Sequence, residues 1–70
     1  MTKAETENYL FNIYRAWVQE NATTSEKGLM FWGYINSLPD FTQFRFGRDI
    51  PYQRTAIWVS DWNSRLGINN

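Results

Sequence analysis

The chain is 70 residues long and carries seven basic and seven acidic side chains, so its net charge at neutral pH is zero. It contains neither cysteine nor histidine, which excludes disulfide bonds and the thiolate and imidazole ligands that zinc requires. This length allows one small core, so we expect a single domain over residues 1–70. Five Phe, four Tyr and four Trp residues supply the bulky side chains that stabilise so small a core.

The first predicted element is an amphipathic helix over about residues 3–20. Thr2 and Glu5 have the spacing of a capping box, in which each side chain accepts a hydrogen bond from the other residue's backbone N–H. Apolar side chains then recur at helical spacing, at Leu10, Ile13, Tyr14, Trp17 and Val18. We expect this stripe to face the core, with Tyr9 and Phe11 at its margins.

A second helix is predicted over about residues 25–38. Thr23 and Glu26 again have capping-box spacing, and Pro39 ends the helix because proline disfavours a helical conformation at the residue before it. Apolar residues cover more than one face of this helix. That distribution is expected of the central helix of a small bundle.

Residues 41–48 leave two structures open. Asp40 and Gln43 have capping spacing, which predicts two helical turns. The alternation of apolar and other side chains from Phe44 to Gly47 instead predicts a short strand. We favour the short helix, because a single strand has no evident partner elsewhere in the chain.

The last helix, over about residues 51–66, has the clearest boundaries in the sequence. Asp49 is placed as its N-cap with Pro51 just inside, and Gly67 ends it. We expect one stripe of this helix to face the core: Thr55, Val59, Trp62 and Leu66. A second set lies off that stripe and forms a semi-exposed face of apolar and charged groups: Arg54, Ile57, Trp58, Asp61 and Arg65.

These elements predict an all-α fold, a small bundle of three or four helices. No apolar run approaches the roughly 18 residues of a membrane span, and the N-terminal residues lack the apolar stretch of a signal peptide, so we expect a cytoplasmic protein. The carboxylates are scattered, and no serine has a base placed by a recognisable motif. Phosphate-loop and dinucleotide signatures are absent. We therefore expect a binding protein with no catalytic residues, no metal and no cofactor.

The C-terminal part of the chain resembles the second half of a helix-turn-helix DNA-binding module, over about residues 41–68. The resemblance rests on a short helix, a turn through Asp49 and Pro51, and a final helix that begins Tyr52-Gln53-Arg54. It implies that the predicted helix over residues 25–38 is the first helix of the module. It also implies a helix-turn-helix-like C-terminal half, with Gly47 in the supporting helix and two buried positions in the recognition helix, Ala56 and Val59.

The same resemblance implies a DNA-binding transcription regulator that reads DNA with the start of its last helix. Base edges would be contacted by Tyr52, Gln53 and Arg54, and phosphates by Arg45 and Arg48. Charge is compatible with this expectation, because residues 41–70 carry four Arg and two Asp, a difference of +2. DNA binding requires only a local positive patch.

The alternative is a protein-binding adaptor or inhibitor, of the size found in phages and other mobile elements. Its interface would be the semi-exposed face of the last helix, formed by Arg54, Ile57, Trp58, Asp61 and Arg65, because Trp, Tyr and Arg are enriched at interface hot spots. A homodimer that buries this face on itself is also compatible with the residues. The sequence leaves DNA and protein both open as partners and predicts no small-molecule substrate.

Overall fold

The computed structural model describes residues 1–69 and is all-helical. Three α-helices pack together: α1 (Lys3–Glu20), α2 (Lys27–Asn36) and α3 (Pro51–Leu66). One short 3₁₀ turn, Phe41–Gln43, lies between α2 and α3, and none of the described residues is in a β-strand. This confirms the predicted all-α bundle. Within residues 1–69, no helix combines the length and the apolar character needed to cross a membrane.

Helix α1 begins as the sequence predicted. The Thr2 hydroxyl accepts the Glu5 N–H at 3.1 Å, and the Glu5 carboxylate accepts the Thr2 N–H at 2.8 Å. The hydrogen bond that the Glu5 carboxylate accepts from the Thr2 backbone is the main cause of a lowered Glu5 pKa, and the Thr2 side chain lowers it further. The face of α1 that meets the core carries four buried side chains: Thr6, Leu10, Tyr14 and Val18.

Helix α2 is shorter than predicted at both ends. It begins after Glu26, which has a left-handed conformation (φ 53°) and whose side chain makes no capping hydrogen bond. The expected capping box of Thr23 and Glu26 therefore does not form. The buried ammonium group of Lys27 instead donates to two carbonyls, of Thr24 at 2.9 Å and of Asn69 at 2.7 Å. At the other end the N–H of Leu38 bonds three residues back, because the following proline excludes a further α-helical turn.

The segment between the 3₁₀ turn and α3 is neither the helix nor the strand that the sequence suggested. The predicted short helix is wrong beyond Gln43, because the N–H of Arg45 donates to the Thr6 hydroxyl of α1 at 2.8 Å. Phe44 and Phe46 on either side of Arg45 are buried. Buried and exposed side chains therefore alternate here as the sequence suggested, but the backbone N–H of Arg45 bonds to a side chain of α1 and not to a second strand. We call residues 44–46 the covering segment.

The boundaries of α3 agree with the prediction, whereas its N-cap does not. Gly67 is left-handed (φ 68°), and the N–H of Ile68 bonds to the Asn63 carbonyl at 2.9 Å, which completes the expected C-terminal cap. At the start, Ile50 occupies the N-cap position without a side-chain bond. Asp49 is therefore not the cap, because its carboxylate is engaged by side chains of α1 and α3.

Aromatic rings from all three helices meet at the centre of the core. The Tyr14 ring centroid is 5.0 Å from that of Phe31 and 5.4 Å from that of Trp62. The hydroxyl of Tyr14 donates to the buried side-chain oxygen of Asn63, and burial raises the pKa of Tyr14 to about 12. Helices α2 and α3 approach closely at Gly28, where an added Cβ would lie 3.4 Å from the Ala56 backbone.

Candidate binding surfaces

The residues that the helix-turn-helix resemblance assigned to DNA lie at the end of the bundle where α1 and α3 begin. Arg48, Tyr52 and Gln53 are exposed there, and Arg45 is exposed on the covering segment. The supporting helix expected before α3 is reduced to the 3₁₀ turn, and residues 37–50 join α2 to α3 without another α-helix. Gly47 consequently lies in a loop, with a left-handed φ of 69°, against the Lys3 side chain. Of the two predicted buried positions of α3, Val59 is buried and Ala56 is half-buried.

An ion-pair network at this end engages the arginine predicted to read bases. One carboxylate oxygen of Asp49 accepts from Arg54 Nε at 2.8 Å and from Lys3 Nζ at 2.9 Å. The hydrogen bond from Arg54 is the main cause of a lowered Asp49 pKa, and the hydrogen bond from Lys3 lowers it further. Arg45 is also engaged, since its guanidinium donates to the carbonyls of Thr42 and Phe44. Within the described chain, Arg48 alone of the three arginines here has no hydrogen bond or ion pair.

We call these four cations the basic end: Lys3, Arg45, Arg48 and Arg54. Two of them, Lys3 and Arg54, pair with Asp49, so the four cations outnumber this carboxylate although the chain as a whole is neutral. The N-terminus of α3 opens into the same region without a side-chain cap. The geometry thus brings the predicted DNA-binding residues together, with Arg54 held inside the protein's own network.

The face of α3 predicted to bind a protein partner loses its aromatic residue. Trp58 is only 4% exposed, so the expectation of an exposed Trp was wrong. Its ring lies between Phe46, at a centroid distance of 5.8 Å, and Trp62, at 6.2 Å and nearly parallel. The sequence prediction considered only helices as cover for α3, whereas the covering segment closes over this side.

What remains exposed on α3 is largely polar. Ile57 is 53% exposed, and its neighbours along the outward face are Gln53, Ser60 and Ser64. Asp61 and Arg65 form a surface pair at 3.0 Å, of the kind that contributes little to stability. Leu66, predicted to be in the core, is also 38% exposed. The remaining members of the predicted interface therefore form no contiguous apolar patch.

A cavity of about 530 Å³ lies on another side of the bundle, between α1 and α2. We call it the α1–α2 groove. Its lining is mostly apolar and aromatic and includes two polar side chains, those of Asn12 and Glu20: Tyr9, Asn12, Ile13, Ala16, Trp17, Glu20 and Tyr34. This volume is in the range of sites that bind small ligands or the side chains of a partner segment.

The aromatic walls of the α1–α2 groove are held from behind by the core. Trp17 stacks on Tyr14 at 5.8 Å and contacts Phe31 at 5.4 Å. The ring of Tyr34 on α2 lies beside that of Trp17, with the centroids 6.3 Å apart. Aromatic rings fixed in this way expose apolar surface without having to be ordered when a partner binds.

Tyr9 forms one end of the groove and is fixed by a hydrogen bond. Its hydroxyl donates to the Asp40 carboxylate at 2.5 Å, and its ring packs on Phe44 at 5.7 Å. The bond to Asp40, with a further contribution from burial, raises the pKa of Tyr9. The hydroxyl therefore remains a donor at neutral pH, and Asp40 serves as its acceptor and not as the helix cap that the sequence suggested.

We expected Ile13 and Trp17 to face the core, with Tyr9 at the margin of that stripe, and all three line the groove. Tyr9, Ile13 and Ala16 recur at helical spacing beside the buried stripe of α1, and Glu20 continues their line. An apolar arc this wide exceeds what two neighbouring helices cover. Sequence alone does not show which edge of the arc is left exposed, because that depends on where α2 packs.

Residues 1–69 offer no cluster of metal ligands. No three acidic, cysteine or histidine side chains come together there in a group that would hold a metal ion. The chain matches no protein-family model, no curated protein and no solved structure.

Proposed function

We propose that this chain is a protein-binding module that holds an apolar segment of a partner in the α1–α2 groove. The observation that carries the proposal is a broad, open groove whose apolar walls are backed by the core. On α3, by contrast, the predicted hot-spot residue Trp58 is buried. Helix-in-groove recognition places the apolar face of one helix into such a depression.

The exposed surface of α2 supports the same proposal. From Gly28 to Asn36 this helix carries no charged side chain. On the side of the groove, Tyr34 is 40% exposed, and Met30, one helical turn before it, is 45% exposed. An exposed helix without charges is unusual in a monomeric protein, and it marks a surface that a partner covers.

The test compares three variants in a pull-down from nuclease-treated lysate of the source organism. Ala16→Gln fills the floor of the groove with a neutral side chain that suits a helix. Ser64→Gln makes a comparable change on the exposed outer face of α3, and Ile57→Gln probes the interface that the sequence predicted. We expect only Ala16→Gln to lose the captured protein.

Two results would count against this proposal. Capture that survives Ala16→Gln would remove the groove from the interface, and capture lost only in Ile57→Gln would return the site to α3. Circular dichroism of each variant provides the control for folding. All three positions are exposed, so the helical signals of the variants should match that of the parent chain.

A second function, DNA binding, is favoured by one specific feature, the basic end. Lys3 and Arg54 pair with Asp49, and Arg45 and Arg48 add two exposed cations near a helix N-terminus without a side-chain cap, an arrangement that suits phosphate oxygens. Arg48 is the best residue to test, because Arg54 also holds Asp49 in place. If this function is correct, Arg48→Ala weakens duplex binding. Arg15→Ala, which removes an arginine of α1 outside the basic end, does not.

Salt provides the decisive measurement for DNA binding. Contacts to phosphates release counterions, so affinity should fall steeply as salt is raised from about 50 to 200 mM. Fluorescence anisotropy with a mixed-sequence labelled duplex measures this directly. No binding at about 50 mM salt would reject the DNA function.

A further inference from the structure

The ends of the α1–α2 groove carry carboxylates, and its lining contains no cation. Glu20 lies at one end, and Asp40 lies at the other, where it accepts the Tyr9 hydroxyl. Glu5 occurs one helical turn before Tyr9 on the same side of α1. An apolar groove between acidic ends has a definite electrostatic preference.

The basic residues near α1 and α2 are directed elsewhere. Lys3 pairs with Asp49, and the Arg15 guanidinium lies 5.8 Å from the centre of the Phe11 ring. Lys27 is buried, with its ammonium group on backbone carbonyls. In residues 1–69, neither Glu20 nor Asp40 has an ion-pair partner. Their charges are therefore left to solvent or to a bound partner.

We infer that the partner segment is apolar in the middle and carries Lys or Arg near both ends. This inference rests on the proposed function, since it gives the chemistry of what the groove binds. Charge complementarity of this kind selects the partner and its orientation more than it adds affinity.

The geometry also gives the separation of the two cations. Tyr9 and Glu20 are eleven residues apart on α1, which is about 16 Å at the rise of an α-helix. A helical partner lying along α1 would meet both acidic ends with cations about eleven residues apart, whereas an extended segment would need about five residues.

Labelled synthetic peptides test the inference. Two helical peptides share one apolar face, and they carry either Lys or Glu at two positions about eleven residues apart. Fluorescence anisotropy should show the Lys peptide binding about tenfold more tightly than the Glu peptide at low salt, with the ratio shrinking as salt is added. Ala16→Gln should weaken both peptides alike.

Neutral replacements locate the effect. The double variant Glu20→Gln with Asp40→Asn should abolish the difference between the peptides, and Asn at position 40 can still accept the Tyr9 hydroxyl. The matched control, Glu7→Gln with Asp61→Asn, changes the net charge equally at sites outside the groove. It should leave the difference intact.

The possible failures can be told apart. Equal binding of the two peptides, or an equal effect of the control pair, would overturn the inferred charge preference and leave the groove as a binding site. If neither peptide binds, or if binding is insensitive to Ala16→Gln, the groove itself is rejected and the proposed function with it.

Discussion

Two tryptophans on different sides of this bundle differ in exposure, since Trp58 is buried and Trp17 is half-exposed. On the α3 side the covering segment closes over Trp58, so that its ring is enclosed by Phe46 and Trp62. On the α1–α2 side no segment of the described chain crosses the groove, and Trp17 remains half-exposed. The same residue type is thus a core residue on one side and a wall of a candidate binding site on the other. The difference lies in what covers each tryptophan, since both helices are amphipathic.

The largest expected effect contrasts the two tryptophans directly. Trp58→Ala removes a buried ring and should lower the free energy of unfolding by about 3–5 kcal/mol, enough to unfold much of so small a domain. Trp17→Ala should cost only about 1–2 kcal/mol, because its ring is half-exposed. Urea denaturation followed by circular dichroism measures both. A Trp58→Ala protein as stable as the parent would show that the covering segment does not enclose this ring.

A smaller effect is expected at the buried hydroxyl of Tyr14, which joins α1 to α3. Tyr14→Phe leaves the side-chain oxygen of Asn63 without its donor, and we expect a loss of about 1–3 kcal/mol in the same assay. Tyr34→Phe is the matched control, because its hydroxyl makes no hydrogen bond to a described residue and is exposed. Equal losses for the two variants would mean that the buried bond contributes nothing.

The basic end predicts a dependence of stability on pH. The Asp49 pKa is lower in the folded protein than its ordinary value of 3.8, chiefly through Arg54. The pair therefore stabilises the fold above that ordinary value, and its contribution is lost as pH falls through the lowered pKa. Asp49→Asn should be less stable than the parent at neutral pH and should lose less on acidification.

Urea denaturation at a series of pH values checks this expectation. Asp61→Asn provides the control, since that carboxylate has only one partner, on the exposed surface of α3. Acid curves of Asp49→Asn and the parent that run parallel would contradict a role for Asp49 in linking α1 to α3.

The smallest expected change in stability separates folding from binding most clearly. Ile57→Ala and Ala16→Gln both alter exposed side chains, so each should change the free energy of unfolding by no more than about 0.5 kcal/mol. Their effects on binding should differ, because only Ala16 lines the groove. Loss of peptide binding in Ile57→Ala with no change in Ala16→Gln would reverse the comparison between the two sides.

Local signals were the part of this fold that the sequence predicted well. Thr2 with Glu5, Pro51 at the start of α3 and Gly67 at its end depend on neighbours within a few residues, and all three occur as predicted. Glu26 and Asp49 were misassigned as capping residues. At the start of α2, Lys27 binds the nearby carbonyl of Thr24 and the distant carbonyl of Asn69, and Asp49 has partners on two helices.

The candidate site was harder to predict for a related reason. Helical periodicity identifies apolar faces, but it does not show which of them another part of the chain covers. Phe44 and Phe46 had strand-like alternation but no helical signal, and that pattern did not indicate that Phe46 packs on Trp58 of α3. Tyr9 and Ile13 carried such a signal, and only the position of α2 shows that their edge of the stripe is exposed.

The hydrogen bond between Thr6 and the Arg45 N–H gives the covering segment a second property. This bond joins residues 39 positions apart, so the segment closes only when the start of α1 is in place. Arg45 and Arg48, the residues after which trypsin cuts, lie on or beside it. When reclosing is faster than cleavage, tryptic cleavage after Arg45, compared with that after the exposed Arg48, reports the fraction of molecules in which the segment is open. Limited proteolysis therefore measures the transient exposure of Trp58.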